Sequence, residues 1–516
     1  MPKQKSDQLY NLIHSLSKGE KRFFKLYSSR LSNSTDKKFI LLFDVLEKQK
    51  THNDDLILSK NKVFNPKQFS NLKAHLYFQI LKSVRLCNAT KQENLTITML
   101  LDYARILYNK CLYKECVKMI DKAKVKVIEN DCSVLLLEIL DLEKMVIPKT
   151  LESGNEARVN LLIANSNHTT ISVKNSNVFS NLSLKLSSYY VQTGFSRTEK
   201  DLKNVIQFFK SSVPEYQECE LSFQEKMYLY NSFIGYYFYT QNFVEGYNYA
   251  SKLINLFEKQ PEMKRHKLEH YIKALNNLLV VQNKLYKYSE FVETLKLLVG
   301  LKRNKELILT ENINLNLFKA IYIHEINRHF MLGEFTAGTR IVDALEHELN
   351  RFIRLLDKPS ILLFYYKIAC LFIGSSNFKM GVKWLNKIYN AKELKLREDI
   401  HSFTRILLLV CHFEMNNELA LETLLRSTYR YFLKKGMLSE YERNILDFIH
   451  TLFMDPRERN IKVQFINLKI NMLKLENEPF EKRAFMYFDI ISWLESKIEN
   501  ESIEIVIKRK ALLRIG

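Results

Sequence analysis

The chain has 516 residues but only twelve Gly and eight Pro, about a third of their usual combined share of roughly 12%. That leaves too few turn formers for a strand-rich fold and too little Gly for the phosphate loops of nucleotide-binding α/β folds. Hydrophobic residues at 46% and charged residues at 26% exclude a disordered chain, and a net charge of +21 points to acidic or anionic partners.

Residues 1–90 hold 17 basic and 7 acidic side chains, net +10. They read as a basic helical N-terminal head of four or five helices. Ser17-Lys18-Gly19-Glu20 is a capping box, in which the Ser hydroxyl takes an N3 amide and the Glu reaches back to the Ser amide. In the helix that follows, Lys18, Lys21, Arg22 and Lys25 share one face, opposite Phe23, Phe24, Tyr27 and Leu31. These four cations are the candidate phosphate-binding residues. Asn65-Pro66 is an N-cap with Pro at N1, opening a helix whose apolar stripe is Phe69, Leu72, Leu76, Ile80 and Val84.

Residues 91–440 repeat a helix–turn–helix unit. Aligned on the turn, the anchors are Tyr113, Gly154, Phe195, Phe243, Tyr288, Phe335, Phe378 and Leu419, with a mean spacing near 44 residues. Three positions on come Cys116, Ala157, Thr198, Gly246, Phe291, Gly338, Gly381 and Glu422, mostly small. Ten positions on come Ala123, Ala164, Val205, Leu253, Leu298, Leu345, Ile388 and Tyr429, all apolar. A period of this size predicts a stack, because one helical hairpin cannot bury its apolar face alone whereas stacked hairpins share a core. Residues 441–516 leave the register and read as C-terminal capping helices. The expected fold class is all-α: a right-handed α-solenoid of antiparallel helix pairs behind a small helical head.

The pattern resembles the tetratricopeptide-like superfamily. Ala104, Tyr113 and Ala123 match its small and aromatic places in one unit, and Ala369, Phe378 and Gly381 in another. The units are longer than the family's 34 residues, and the signature Trp and Pro are mostly absent. The resemblance implies a concave groove lined by positions fifteen, twelve, eight and five residues before the turn aromatic. Carried onto this sequence, they include Arg105, Tyr108, Tyr228, Asn231, Lys273, Asn276, Asn327 and Tyr366. The Asn amides suit an extended peptide backbone, and Lys273 or Arg105 a carboxylate.

Motifs for chemistry fall short. His324-Glu325-Ile326-Asn327-Arg328-His329 has one residue too many for two histidines to share a helix face, and the i,i+4 pair His266 and His270 lacks a third ligand. Gly333-Glu-Phe-Thr-Ala-Gly338-Thr339-Arg340 lacks the Lys of a phosphate loop, and its two Gly serve the repeat's turn and small position. Seven Cys with no CxxC read as reduced thiols. Without a leader-like N-terminus or a ~20-residue apolar run, the expected location is cytoplasmic, with no membrane span. No metal and no cofactor are expected.

The sequence thus predicts a non-enzymatic interaction scaffold whose partner is a protein or peptide held on the concave face. The alternative, kept as second choice, is a nucleic-acid-associated regulator. In it the head contacts phosphates through Lys18, Lys21, Arg22 and Lys25, and the array senses a peptide or protein.

Overall fold

The computed structural model describes residues 8–30, 36–89, 92–150, 156–193, 198–391, 396–435, 438–454, 461–478, 480–481, 484–486 and 488–515. Among them are 26 α-helices and no β-strand. In chain order they are α1 (Gln8–Ser15), α2 (Lys18–Ser29), α3 (Asp36–Lys48), α4 (Asp54–Lys60), α5 (Phe69–Asn88), α6 (Glu93–Asn109), α7 (Tyr113–Glu129), α8 (Ser133–Val146) and α9 (Glu156–Thr193). There follow α10 (Glu199–Ser212), α11 (Phe223–Tyr239), α12 (Phe243–Lys259), α13 (Met263–His266), α14 (Leu268–Lys284), α15 (Tyr288–Arg303), α16 (Glu311–Leu332), α17 (Phe335–Thr339) and α18 (Val342–Phe352). The series ends with α19 (Lys358–Gly374), α20 (Phe378–Tyr389), α21 (Glu398–Glu414), α22 (Glu418–Lys435), α23 (Glu440–Met454), α24 (Ile461–Glu476), α25 (Ile490–Glu499) and α26 (Ile503–Ile515). Consecutive helices pack against each other, as in an α-solenoid. The chain forms two compact units, 1–169 and 170–516, and the division falls within α9.

In the first unit, the head closes around Leu9, Ile13, Phe24, Phe39, Phe43, Leu76 and Ile80, all but excluded from solvent. Each such side chain contributes ~1.5–3 kcal/mol by leaving water. The capping box forms: the Ser17 hydroxyl accepts the Glu20 amide at 3.2 Å, and the Glu20 carboxylate accepts the Ser17 amide at 2.9 Å. After it, α6 and α7 form the first helical hairpin, with Ala104, Cys116 and Ala123 fully buried between them.

The turns of the array follow one design. The anchors Tyr113, Phe243, Tyr288, Phe335 and Phe378 each begin the second helix of a pair. Two residues before each sits a left-handed residue: Cys111, Gln241, Tyr286, Gly333 and Ser376, at φ between 54° and 68°. Here the chain closes a Schellman motif. In the first turn Leu112 N–H donates to Leu107 C=O and Cys111 N–H to Tyr108 C=O; in a later one Asn377 donates to Phe372 and Ser376 to Ile373. Four of these five residues are not glycine. The scarcity of Gly therefore does not remove left-handed turns; packing of the paired helices carries a local cost of ~1–2 kcal/mol at each.

Two features depart from the predicted series. The last turn has Asn416 in the left-handed place and α22 begins at Glu418, so the anchor is Glu418 rather than Leu419. The small place then falls on buried Leu421 instead of Glu422. Second, 156–193 is one helix of 38 residues where a hairpin was expected. The anchors Gly154 and Phe195 that bracketed it lie outside the described residues. No Gly or Pro interrupts this stretch. Its buried stripe, Leu162, Ser166, Thr169, Ser172, Ser176, Phe179, Leu182 and Leu186, keeps a helical spacing of three and four throughout.

Candidate functional site

In the second unit, α9, α11, α14, α16 and α19 line a groove of about 710 Å³, with polar side chains set among apolar walls. A second hollow of about 580 Å³ adjoins it and shares Tyr190, Phe238, Val280, Ile323, Leu363 and Arg397 as walls, with α26 on its far side. Of the predicted groove residues, Asn231, Lys273 and Asn276 line the first hollow, and Asn327 and Tyr366 the second. Tyr228 lies nearby, its ring edge-on to His270 at 5.9 Å. Arg105 and Tyr108 belong to the first unit. There Arg105 pairs with Glu138 at 2.6 Å, and Tyr108 sits edge-on to Tyr113 at 5.8 Å.

The groove amides are partly engaged with one another. Asn231 donates through Nδ2 to Met227 C=O at 2.8 Å and accepts from Asn277 Nδ2 at 3.1 Å. Asn276 Oδ1 takes His324 Nε2 at 3.1 Å, and Asn327 Nδ2 donates to His324 Nδ1 at 3.2 Å. Lys367 Nζ donates to Asn327 Oδ1 at 2.7 Å. Ser232 Oγ reaches back to Phe179 C=O at 2.6 Å. A rule emerges: the residue eleven places before the turn anchor, in order Ser232, Asn277, His324 and Lys367, donates to the helix of the preceding unit. The polar seam knits α9, α11, α14, α16 and α19 edge to edge, and fixes the side chains that face the groove. Position eleven was missed in the sequence, although four successive polar residues there were a readable signal.

His324 is fully buried and holds no charge. Asn327 fills its Nδ1 lone pair, so the proton sits on Nε2, facing Asn276. Burial, and then the Lys367 ammonium, push its pKa down to about 3. His270 is pushed down to about 4 by burial, then by Lys267 and Lys273. Protons therefore bind the unfolded chain in preference, and stability must fall as pH drops from about 6.5 toward these values, by ~1.4 kcal/mol per pH unit for a fully buried imidazole. Partly exposed His270 contributes less. We expect the wild type to lose ~1–2 kcal/mol more than His324→Gln between pH 6.5 and 5, by urea unfolding. Equal losses would show that the imidazole is charged in the fold.

His329 turns away from His324, with Nδ1 3.8 Å from the Glu334 carboxylate. Among the described residues no group of three or more His, Cys, Asp or Glu gathers as a metal site would, and no helix is long and apolar enough to cross a membrane. Gly338 packs its bare backbone against Leu371 and His329, so the Gly333–Arg340 segment is a turn and a helix seam.

On α2, the four predicted phosphate ligands divide. Lys21 meets Glu47 at 3.2 Å, and Lys25 meets Asp44 at 2.8 Å and Glu47 at 3.2 Å, so both tie α2 to α3. Lys18 and Arg22 have no such partner among the described residues. Compared with protein-family models, curated proteins and solved structures, the chain gives no match.

Proposed function

We propose that this chain is a non-enzymatic interaction protein, tetratricopeptide-like in its repeats, which holds a protein or peptide ligand in the groove of its second unit. The observation that carries the reading is the polar seam: it presents Asn276 beside Lys273 in the first hollow and Asn327 in the adjoining one, each with an amide hydrogen left over, next to the apolar walls that the two hollows share. Such a surface pairs with an extended backbone while those walls take apolar side chains. The amides spend part of their capacity on each other, which restricts the ligand contacts to Asn276 Nδ2 and the second Asn327 N–H. The nucleic-acid reading loses weight on one observation, since two of its four cations already neutralise α3 carboxylates. The action is then in a cell compartment that the ligand shares, for which we propose the cytoplasm.

Panning a random peptide library on the full chain tests this. Binders are expected to protect α11, α14 and α16 from hydrogen exchange, and Lys273→Glu with Asn276→Asp is expected to weaken them at least tenfold, ~1.4 kcal/mol. A library that yields nothing tighter than ~1 mM, or binders whose footprint lies on the outer helices, would end the proposal.

A further inference from the structure

Two ammoniums stand in the second hollow without an ion pair to either of its carboxylates, Glu476 and Asp489. Lys284 closes α14 and Lys367 lies midway along α19; both line the cavity. Lys367 has only the neutral oxygen of Asn327 and the ring face of Phe330, 5.1 Å from its Nζ. Lys284 has no hydrogen-bond or ion-pair partner among the described residues. Neither occupies a position implied by the family resemblance. Each is half-buried and keeps part of its surface on the cavity. The other charged or titratable walls are Arg397, already committed to Asp399, Arg514, which lies over the Tyr286 ring at 4.7 Å, Glu476, Asp489, which caps Ser492, and the Cys370 thiol.

The two ammoniums face the same hollow; burial pushes both down to about 8, and the Lys367 charge lowers Lys284 further. At neutral pH both are still largely protonated. The fold thus keeps two half-buried cations on one hollow at a cost in stability, the kind of local violation found where a ligand supplies the missing charge. Alongside them run Phe238, Val280 and Leu363, the apolar walls that lead into the larger groove.

We propose that Lys284 and Lys367 form an anion seat, in which the carboxylate or phosphate of a ligand sits between the two ammoniums while its apolar part lies along Phe238, Val280 and Leu363. This deepens the groove reading above and rests on it for the remainder of the ligand.

The test uses the full chain and four probe pairs or singles: octanoate against octanol, octyl phosphate, inorganic phosphate, and an acetylated Ala-Leu-Ala-Leu peptide as its acid and its amide. Calorimetry should show each amphipathic anion binding at least tenfold tighter than its neutral counterpart. Lys284→Met and Lys367→Met should each abolish the difference, Lys367→Arg should restore part of it, and Lys296→Met, on the exposed face of α15 and outside both hollows, should leave it intact. Without ligand, both Met variants should melt at or above the wild-type temperature. A measurement free of variants is NMR of ε-13C-lysine: two signals titrating near pH 8 should move to higher pH when octanoate is added. The preferred anion identifies the source, carboxylate or phosphate. The seat is overturned if acid and neutral probes bind alike, if the Met variants bind anions as the wild type does, or if no anion binds and no lysine signal shifts. If the peptide binds equally as acid and amide, the groove reading stands and the seat fails. If octanoate needs both lysines but neither peptide binds, the seat stands and the peptide reading fails.

Discussion

Replacing Arg397 by Met is expected to cost ~3–5 kcal/mol of stability, since it removes one partner of a buried ion pair. Arg397 and Asp399 are 5% and 6% exposed, so neither charge can turn to bulk water instead. Nε donates to Asp399 Oδ1 at 3.0 Å and a terminal nitrogen to Oδ2 at 2.7 Å, a forked geometry that a Lys could not reproduce. The residue also anchors the backbone: its N–H donates to Val191 C=O at 3.1 Å, linking the segment before α21 to the end of α9, and its guanidinium lies 5.1 Å from the Tyr190 ring centre. Asp399→Leu alone should be costly for the same reason, because it strands the guanidinium. The double variant Arg397→Met with Asp399→Leu removes both charges and should recover most of the loss. Urea unfolding of the four proteins in this cycle measures the coupling. An additive double variant would mean that the two residues act independently and that backbone anchoring alone matters.

The repeat was legible because its signals are local. A turn anchor, a small residue three places on and an apolar residue ten places on define one hairpin, and Leu253, Leu298, Leu345 and Ile388 at the last of these places are all fully buried. Register slipped where the signal was weakest. Leu419 is apolar and exposed, while the residue that sets the turn is Asn416, whose left-handed backbone is not written in an apolar pattern. The period, carried across 156–193, predicts hairpins there, yet no Gly or Pro interrupts the single helix. Asn231, Lys273, Asn276, Asn327 and Tyr366, which line the two hollows, were legible only through the groove positions that the family resemblance implies. Lys284 and Lys367 were not, because nothing in a sequence says that a lysine lacks a carboxylate in space. Nor could the sequence say that Lys21 and Lys25 spend their charge on Glu47 and Asp44, which come from a different helix.

Gly333→Val is expected to destabilise the second unit by ~2–5 kcal/mol and to loosen α26 before the rest of the array. Two terms add. The residue stands at φ 68°, where a β-branched side chain costs ~1–2 kcal/mol or more. A Cβ at this place would lie 2.6 Å from the backbone N of Lys508 and 2.9 Å from the carbonyl carbon of Ile507, and overpacking adds ~1–3 kcal/mol. The obstacle is main chain, so no rotamer change relieves it; the turn or α26 must move. Moving α26 also strains the Glu504 carboxylate, which accepts the Thr336 N–H at 2.9 Å and the Thr336 hydroxyl at the start of α17. Ser376 serves as the contrast. It occupies the same left-handed place in the turn between α19 and α20, is exposed, and has φ 61°. Ser376→Gly should therefore stabilise by ~0.5–1 kcal/mol, since it relieves strain at some cost in chain entropy. Hydrogen exchange on the Gly333→Val protein should rise first within 503–515, the helix that walls the hollow around Lys284 and Lys367. If exchange rises equally over α11 to α22, the contact with α26 is incidental and the strain of the turn alone unfolds the unit.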